Sequence, residues 1–311
     1  QHSGRLPDTL FHIVDGNSVP DTTFKGDRTH DELVAPPPRP VVYDDWRIHS
    51  YTGVVARLAD PHLVTGFADD DSDTETATTP DNSRFAFPRG PRIGVELHSL
   101  MEDTDFADTT GHGELCSRTL RRLGLDDEWQ PMLTAWLKDI IQSPMGDHAL
   151  QDITRSDRLD EMEFHFPISA STSLIDYLRS SGYLVTTDPG AIRLEGLMTG
   201  LIDLVYRCNG KYYIIDYKSN HLGNTGADYQ GDKLTAAMSQ HQYHLQYLIY
   251  TVAVTRMLKQ KLPDYDYDQH FGGVRYLFLR GMNGQDSTGI FNDRPPLNVI
   301  DQLDQLVGGT R

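Results

Sequence analysis

One short segment, residues 200–218, constrains the fold of this chain more than any other. It reads GLIDLVYRCNGKYYIIDYK, two largely apolar runs on either side of an Asn-Gly pair at 209–210. Asn-Gly supplies the positive φ angles of a two-residue hairpin turn, so the segment predicts a β-hairpin. Side chains alternate along a strand, so Asp216 and Lys218 point the same way and Asp203 faces them from the partner strand. The fold must therefore accommodate a sheet that carries these three charged groups together.

The three charged groups predict a metal site. Their neighbours along both strands are apolar, and a carboxylate in such surroundings is costly unless it meets a metal ion or a cation. Two carboxylates on adjacent strands offer the oxygen ligands that Mg²⁺ or Mn²⁺ prefers. A lysine beside them can hold a water or neutralise charge that develops on a phosphate. The alternative, a plain salt bridge between Asp216 and Lys218 on an exposed strand, explains the apolar neighbours less well.

Further polar residues lie on helices that the periodicity predicts. Gln246 and Tyr250 are spaced i, i+4 and share a face, from which they could contact a phosphate or position the lysine. His98, one turn before Glu102, is a candidate third metal ligand. For each of these residues a bland alternative stays open: ordinary polarity of a helix surface, or a histidine satisfied by the core.

A strictly alternating segment adds two more acidic candidates. Glu161, Glu163 and His165 fall on one face of a predicted strand, and apolar residues fall on the other. Glu161 and Glu163 could support the metal ligands or hold a second ion. A solvated strand face accounts for them equally well.

The order of predicted elements indicates an α/β fold with a mixed central β-sheet flanked by helices. A folded body is predicted to begin near Val41. The predicted helices cover 94–106, 114–124, 129–143, 173–180 and 234–262, and the predicted strands cover 41–52, 161–168, 192–207, 211–218 and 271–280.

Composition narrows the class of protein. The 311 residues contain 28 basic and 45 acidic side chains, for a net charge of -17, which argues against a dedicated nucleic-acid binder. Two cysteines, Cys116 and Cys208, exclude a disulfide framework and a cysteine-held cluster. This cysteine usage predicts a reducing, cytoplasmic setting. No apolar run is long enough to cross a bilayer, so no membrane partner is expected. A first residue other than Met indicates a processed chain or a piece of a longer protein.

Two segments are predicted to lie outside the packed core. Residues 1–40 show little periodicity and contain a Pro-rich run, which indicates an extended connector. Residues 68–82 read ADDDSDTETATTPDN and are too acidic and polar to bury a core, so they predict a disordered acidic loop. A variable solvated loop is favoured over a regulatory insert.

Three stretches together carry a family resemblance. The runs GLIDLVYRCNGKYYIIDYKSNHLG, HQYHLQYLIYTVAVTRML and DYDYDQHFGGVRYLFLRG resemble the C-terminal nuclease domain of RecB-type subunits, within the PD-(D/E)XK superfamily. The upstream runs DDWRIHSYTGV, FPRGPRIGVELHSLMEDTDF and EMEFHFPIS match the same domain in the same order. The resemblance spans about 41–307. It implies a restriction-endonuclease-like core in 41–311, preceded in 1–40 by the end of a helicase region and its tether.

The resemblance also implies a set of site residues. A metal, Mg²⁺ with Mn²⁺ or Ca²⁺ as substitutes, would be held by His98, Asp203, Asp216 and the main-chain carbonyl of Tyr217. Lys218 would be the catalytic lysine. Gln246 and Tyr250 match a QxxxY element, and Glu161 matches a further acidic position.

Activity and partners follow from the same resemblance. It implies cleavage of DNA, as single strands and duplex ends, in a complex with RecC-like and RecD-like subunits during double-strand-break repair. Those subunits would hold the DNA, which is compatible with the net negative charge of this chain. A second hypothesis is a non-catalytic nuclease-fold module that binds DNA or a partner. That hypothesis predicts a broken D–x12–D–x–K pattern, whereas the pattern here is whole.

Overall fold

The computed structural model describes residues 47–50, 53, 83–170, 172–183 and 194–308. All of them belong to one compact unit, Asp45–Arg311. The predicted tether at 1–40 and the predicted acidic loop at 68–82 lie outside the described residues. The domain boundary near Val41 therefore stays a prediction. Within the described part of the chain, no helix combines the length and the apolar character needed to span a membrane.

The described elements form one mixed sheet with helices. The strands are β1 (Arg47–Ser50), β2 (Arg158–Ala170), β3 (Leu194–Cys208), β4 (Lys211–Lys218), β5 (Phe271–Phe278) and β6 (Ile290–Asp293). The helices are α1 (Pro91–Asp103), α2 (His112–Leu123), α3 (Gln130–Gln142), α4 (Thr172–Ser180), α5 (Gly231–Gln240), α6 (Tyr243–Lys261), α7 (Tyr267–His270) and α8 (Leu297–Gly308).

The sheet has six strands in the order β1-β3-β4-β5-β6, and β2 also pairs with β3. The β1–β3 and β4–β5 pairs are parallel, whereas the β2–β3, β3–β4 and β5–β6 pairs are antiparallel. The predicted mixed sheet is thus confirmed. So is the hairpin, because Asn209 and Gly210 adopt φ angles of 49° and 77°, as its two-residue turn requires.

Each face of the central strands packs against its own set of helices. Ile214 belongs to the core shared with α5, α6 and α8, and its neighbour Ile215 belongs to the core shared with α1, α2 and α3. The alternation of side chains along a strand explains this division. The end of β4 therefore lies between two helical layers, and either layer can contribute side chains there.

Most predicted helices and strands are present, with ends shifted by a few residues. The helix predicted at 94–106 begins earlier, at Pro91, which suits a first helical turn because proline has no N–H to leave unpaired. β6, α7 and α8 were not predicted. The strand predicted at 41–52 is described only over Arg47–Ser50.

One prediction is wrong. A single long helix was expected over 234–262, but the chain forms α5 and α6 with a break between them. Gln242 at the break has φ 55°, in the left-handed region that non-glycine residues seldom adopt. Residues 239–242 read Ser-Gln-His-Gln and contain neither Gly nor Pro, so no helix-breaking residue marks the break in the sequence.

Candidate metal centre where β3 and β4 separate

The candidate site lies where the two strands of the hairpin part. Their backbone ladder begins at the pair Leu204–Ile215, and Asp203 and Asp216 each lie one residue beyond it. There the Asp203 carboxylate, through Oδ2, accepts a hydrogen bond of 2.7 Å from the main-chain N–H of Tyr217. The side chain thus replaces a ladder bond and holds the opened strands together.

His98 reaches this point from α1. Its Nδ1 lies 3.5 Å from Oδ2 of Asp203, and its ring meets the Tyr217 ring edge-on at a centroid distance of 5.9 Å. Burial alone would raise the pKa of Asp203. The charges of His98 and then Lys218 lower the pKa by a larger amount, so it lies below its ordinary value of 3.8. Asp203 is therefore a carboxylate at neutral pH, as a metal ligand must be.

Asp216 and Lys218 form a buried ion pair. Lys218 Nζ lies 2.5 Å from Asp216 Oδ1, and the two residues are only 4% and 2% exposed. The same ammonium lies 4.2 Å from the centre of the Tyr243 ring and 5.5 Å from that of Tyr276. The alternative of an exposed surface salt bridge is therefore wrong.

Gln246 and Tyr250 are buried next to this pair instead of lying on a helix surface. Tyr276 donates its hydroxyl to Gln246 Oε1 at 2.9 Å, and Gln246 Nε2 donates to the Tyr250 hydroxyl at 3.0 Å. Burial, followed by the charges of Asp216 and Asp203, raises the pKa of Tyr250 well above 10. Tyr250 is thus a neutral hydroxyl in the field of both carboxylates.

Glu161 occupies the place on β2 opposite Asp203. The flanking pairs are Asp160–Leu204 and Met162–Ile202, while Glu161 itself has φ 48° and an exposed side chain. Burial and then the charge of Glu161 raise the pKa of Glu102, one turn after His98 on α1. The negative charges of Glu102 and Glu161 therefore repel each other at the rim of the site.

Glu163, the second acidic candidate on β2, lies on the exposed strand face. Its nearest charged partner is His165, at 3.9 Å, and both side chains are more than half exposed. No contact among the described residues links Glu163 to the site, which favours the solvated-face interpretation.

The three proposed side-chain donors, His98, Asp203 and Asp216, do not enclose a metal-sized space. In the described part of the chain, no three His, Cys, Asp or Glu side chains lie close enough to enclose a metal ion. The carboxylates explain this, because Asp216 is turned to Lys218 whereas Asp203 is turned to His98 and the Tyr217 N–H. Two carboxylates and a main-chain carbonyl nevertheless provide oxygen ligands of the kind that Mg²⁺ takes, and His98 would add one nitrogen to them. Closure around an ion would require the Asp216 side chain to turn.

Sequence reasoning missed three residues at the site. Tyr243 and Tyr276 flank Lys218, and Tyr276 is the register partner of Asp216 on β5. The i, i+3 spacing from Tyr243 to Gln246 was a usable signal. Arg158 gave no signal: its Nη2 donates to the main-chain carbonyl of Glu102 at 3.0 Å, which ties the last turn of α1 to β2.

The chain is similar in sequence to several known proteins. Residues 75–307 match the model of the PD-(D/E)XK nuclease superfamily. The chain is 36% identical over 281 residues to RecBCD enzyme subunit RecB of Escherichia coli (strain K12), covering 86% of this chain and 23% of that protein. It is 36% identical over 289 residues to the RecB subunit of Haemophilus influenzae, covering 85% and 24%. For Mycobacterium tuberculosis the values are 32% over 262 residues, 71% and 24%. The chain thus spans about a quarter of these relatives.

Proposed function

Because this chain belongs to the PD-(D/E)XK nuclease superfamily, we propose that it is the metal-dependent DNA nuclease domain of a RecBCD-type helicase–nuclease. The observation that carries the proposal is the buried Asp216–Lys218 pair beside Asp203 and His98. A buried ion pair is weak evidence for stability, because desolvation can exceed the Coulombic gain. The burial of the Asp216–Lys218 pair between apolar layers is better explained by a catalytic role.

The residues fit a divalent cation, in the first place Mg²⁺. His98, Asp203, Asp216 and the main-chain carbonyl of Tyr217 would hold it. Once bound, the ion would polarise a phosphate oxygen and lower the pKa of a bound water. Mn²⁺ or Ca²⁺ would occupy the same donors.

The remaining steps fall to the side chains. Lys218 would orient the attacking water in line with the phosphorus and offset negative charge that develops on the phosphate. The P–O3′ bond breaks, so the products are a 5′-phosphate end and a 3′-hydroxyl. Tyr250, a protonated hydroxyl near both carboxylates, and Gln246 would keep the carboxylates and the lysine in place. Glu161 would support the ligands from the rim.

We further propose that other subunits bring the DNA. A net charge of -17 repels a phosphate backbone at long range, so this chain is poorly suited to capture DNA unaided. The similar proteins are named as subunits of the RecBCD enzyme. Partners of the RecC and RecD kind, DNA as single strands and duplex ends, and a cytoplasmic location follow as proposals.

A nuclease assay on single-stranded DNA tests the proposal. Wild type should cleave with Mg²⁺ and not with EDTA, and Lys218→Ala and Asp216→Ala should each lose at least about 10³-fold in rate. Lys233→Ala is the matched control, because Lys233 also pairs with an aspartate, Asp228, but is 63% exposed. Wild-type rates from Lys218→Ala would overturn the assignment.

One observation favours the second candidate, a non-catalytic module: the donors are not closed around an ion in the described residues. Titration with Mg²⁺, followed by calorimetry, separates the two functions. Saturable binding that Asp203→Asn abolishes supports the nuclease. Absence of binding in wild type, together with intact partner binding, supports the module.

A further inference from the structure

Lys218 lies against two neighbouring aromatic rings that belong neither to the metal donors nor to the QxxxY element. Its Nζ is 4.2 Å from the centre of the Tyr243 ring and 5.5 Å from that of Tyr276, and the two rings are 5.5 Å apart. All three residues are at least 95% buried. We propose that Tyr243 and Tyr276 are positioning residues that hold the Lys218 ammonium in place for the reaction. The proposal rests on the nuclease function above.

The physical need for such a pocket arises from the lysine side chain. It has four rotatable carbon–carbon bonds, and its ammonium is a compact charge that a buried site must compensate. Asp216 compensates it on one side. When a metal ion attracts the Asp216 carboxylate, that partner is shared, and the electron-rich faces of the rings still attract the ammonium. The rings therefore restrict the ammonium to one place while its ion pair changes.

Both rings are themselves fixed by hydrogen bonds from their hydroxyls. Tyr243 donates to Asn220 Oδ1 at 3.2 Å, two residues beyond Lys218 on the same chain segment. Tyr276 donates to Gln246 Oε1 at 2.9 Å. Each ring is thus anchored to the site by its polar edge.

The break between α5 and α6 fits this role. Tyr243 is the first residue of α6 and directly follows Gln242, whose φ of 55° departs from helical geometry. The His241 ring stacks on Tyr243 at 5.1 Å. Strained backbone persists where surrounding contacts over-determine it, and such strain gathers at functional sites. The strained break is what places Tyr243 at the head of α6, against the lysine.

A spectroscopic test reads the pocket without reference to activity. The chain has seven lysines, so selective ¹³C labelling of lysine gives few side-chain signals, and Lys218→Arg assigns the one from Lys218. An ammonium over an aromatic face should show Hε resonances shifted upfield from those of the other lysines. Tyr243→Leu should abolish the shift and Tyr243→Phe should keep it. An unshifted Lys218 signal in wild type would refute the pocket even if the chain proves to be a nuclease.

A kinetic test asks whether the pocket matters to the reaction. Tyr243→Leu should lower kcat by about 10- to 30-fold, with KM for DNA and the half-saturating Mg²⁺ concentration unchanged. Tyr243→Phe keeps the ring and should stay within about threefold of wild type. Equal losses from Phe and Leu would show that the hydroxyl matters and not the ring face, which would overturn the proposal.

A control separates positioning from general destabilisation. Tyr267 is an equally buried tyrosine whose hydroxyl donates to the carbonyl of Pro295, at the other end of β5. Tyr267→Leu should lower the melting temperature comparably while kcat and KM remain as in wild type. If Tyr243→Leu does not fold, Tyr243→Met fills more of the same volume without a ring and takes its place. A kcat within threefold of wild type in a folded ring-free variant would contradict the proposal.

Discussion

Two buried basic side chains lie at the C-terminal ends of adjacent parallel strands, and they are held in opposite ways. Lys218 ends β4 and contacts a carboxylate and two aromatic faces. Arg280 lies two residues beyond β5 and is 1% exposed. Its guanidinium donates at 2.7–3.1 Å to four main-chain carbonyls, those of Ser219, Arg84, Phe87 and Pro88.

The difference shows how the partner decides the role of a buried charge. Carbonyl oxygens in fixed backbone match the rigid fork of a guanidinium, so Arg280 ties the segment before α1 to the end of β4. Its partners do not change during any reaction. The carboxylate partner of Lys218, in contrast, is a proposed metal ligand. Arg280 therefore serves the fold, whereas Lys218 is positioned for chemistry.

The largest expected effect is the loss of stability when Arg280 is replaced. Arg280→Met leaves four main-chain carbonyls without their donor, and the bonds to Ser219 and Phe87 are fully buried, so we expect the free energy of unfolding to fall by about 3–5 kcal/mol. Urea denaturation in EDTA and in Mg²⁺ measures this, and Mg²⁺ should restore none of the loss. At a temperature where the variant is folded, cleavage should persist. A rate as low as that of Lys218→Ala would break the contrast between the two residues.

An effect of different character is expected on replacing Lys218. Lys218→Met leaves the Asp216 carboxylate buried without its cation, which should cost about 3 kcal/mol in EDTA, at the low end for a broken buried ion pair because the carboxylate can take up a proton instead. Saturating Mg²⁺ should recover most of this loss, because the ion takes the place of the ammonium beside Asp216. The same denaturation series measures both variants. Recovery in Arg280→Met, or none in Lys218→Met, would contradict the assignment of Asp216 as a ligand.

These two residues also show how far sequence reasoning reaches. Lys218 was identifiable because a hairpin is local: its turn at 209–210 and the alternation of its strands lie within twenty residues. Arg280 was not, because its carbonyl partners lie about 60 and 195 positions away. The spacing from Tyr243 to Gln246 indicated a shared helix face, but the break at Gln242 was not predictable. Tyr243 contacts Lys218, 25 positions away, and no local pattern encodes that contact.

The metal donors illustrate the same limit. Asp203 and Asp216 fall opposite each other by hairpin register alone. His98 comes from a separate layer. Its predicted helix made it a candidate ligand, and the family resemblance favoured it over the other twelve histidines. Glu161 was identified as acidic and exposed on a strand, but its left-handed backbone across from Asp203 follows from tertiary pairing.

Arg158 has partners of the same two kinds as Lys218 and Arg280, a carboxylate and a main-chain carbonyl. Its side chain is 1% exposed, contacts the Asp160 carboxylate at 3.0 Å, and donates to the carbonyl of Glu102 at the end of α1. It therefore fixes the helix that presents His98. Arg158→Met should weaken Mg²⁺ binding by about tenfold, as is typical when a residue that orients a ligand is lost. Calorimetric titration measures it, with Arg118→Met, an exposed arginine near the same helix, as the control. Equal Mg²⁺ affinities in wild type and Arg158→Met would show that Arg158 only stabilises the fold.

The smallest expected effect is the pH dependence of stability, and its sign follows from the pKa of Asp203. Because its pKa in the folded protein lies below 3.8, the folded state favours the carboxylate. That contribution to stability is fully present above the unfolded pKa and is lost as pH falls through the folded pKa. In EDTA, the stability difference between wild type and Asp203→Asn should thus shrink as pH falls from about 5 to about 3. Urea midpoints at several pH values in this range measure it. A difference that grows between about pH 5 and about pH 3 would mean that burial outweighs His98, and that Asp203 binds its proton more tightly in the folded chain.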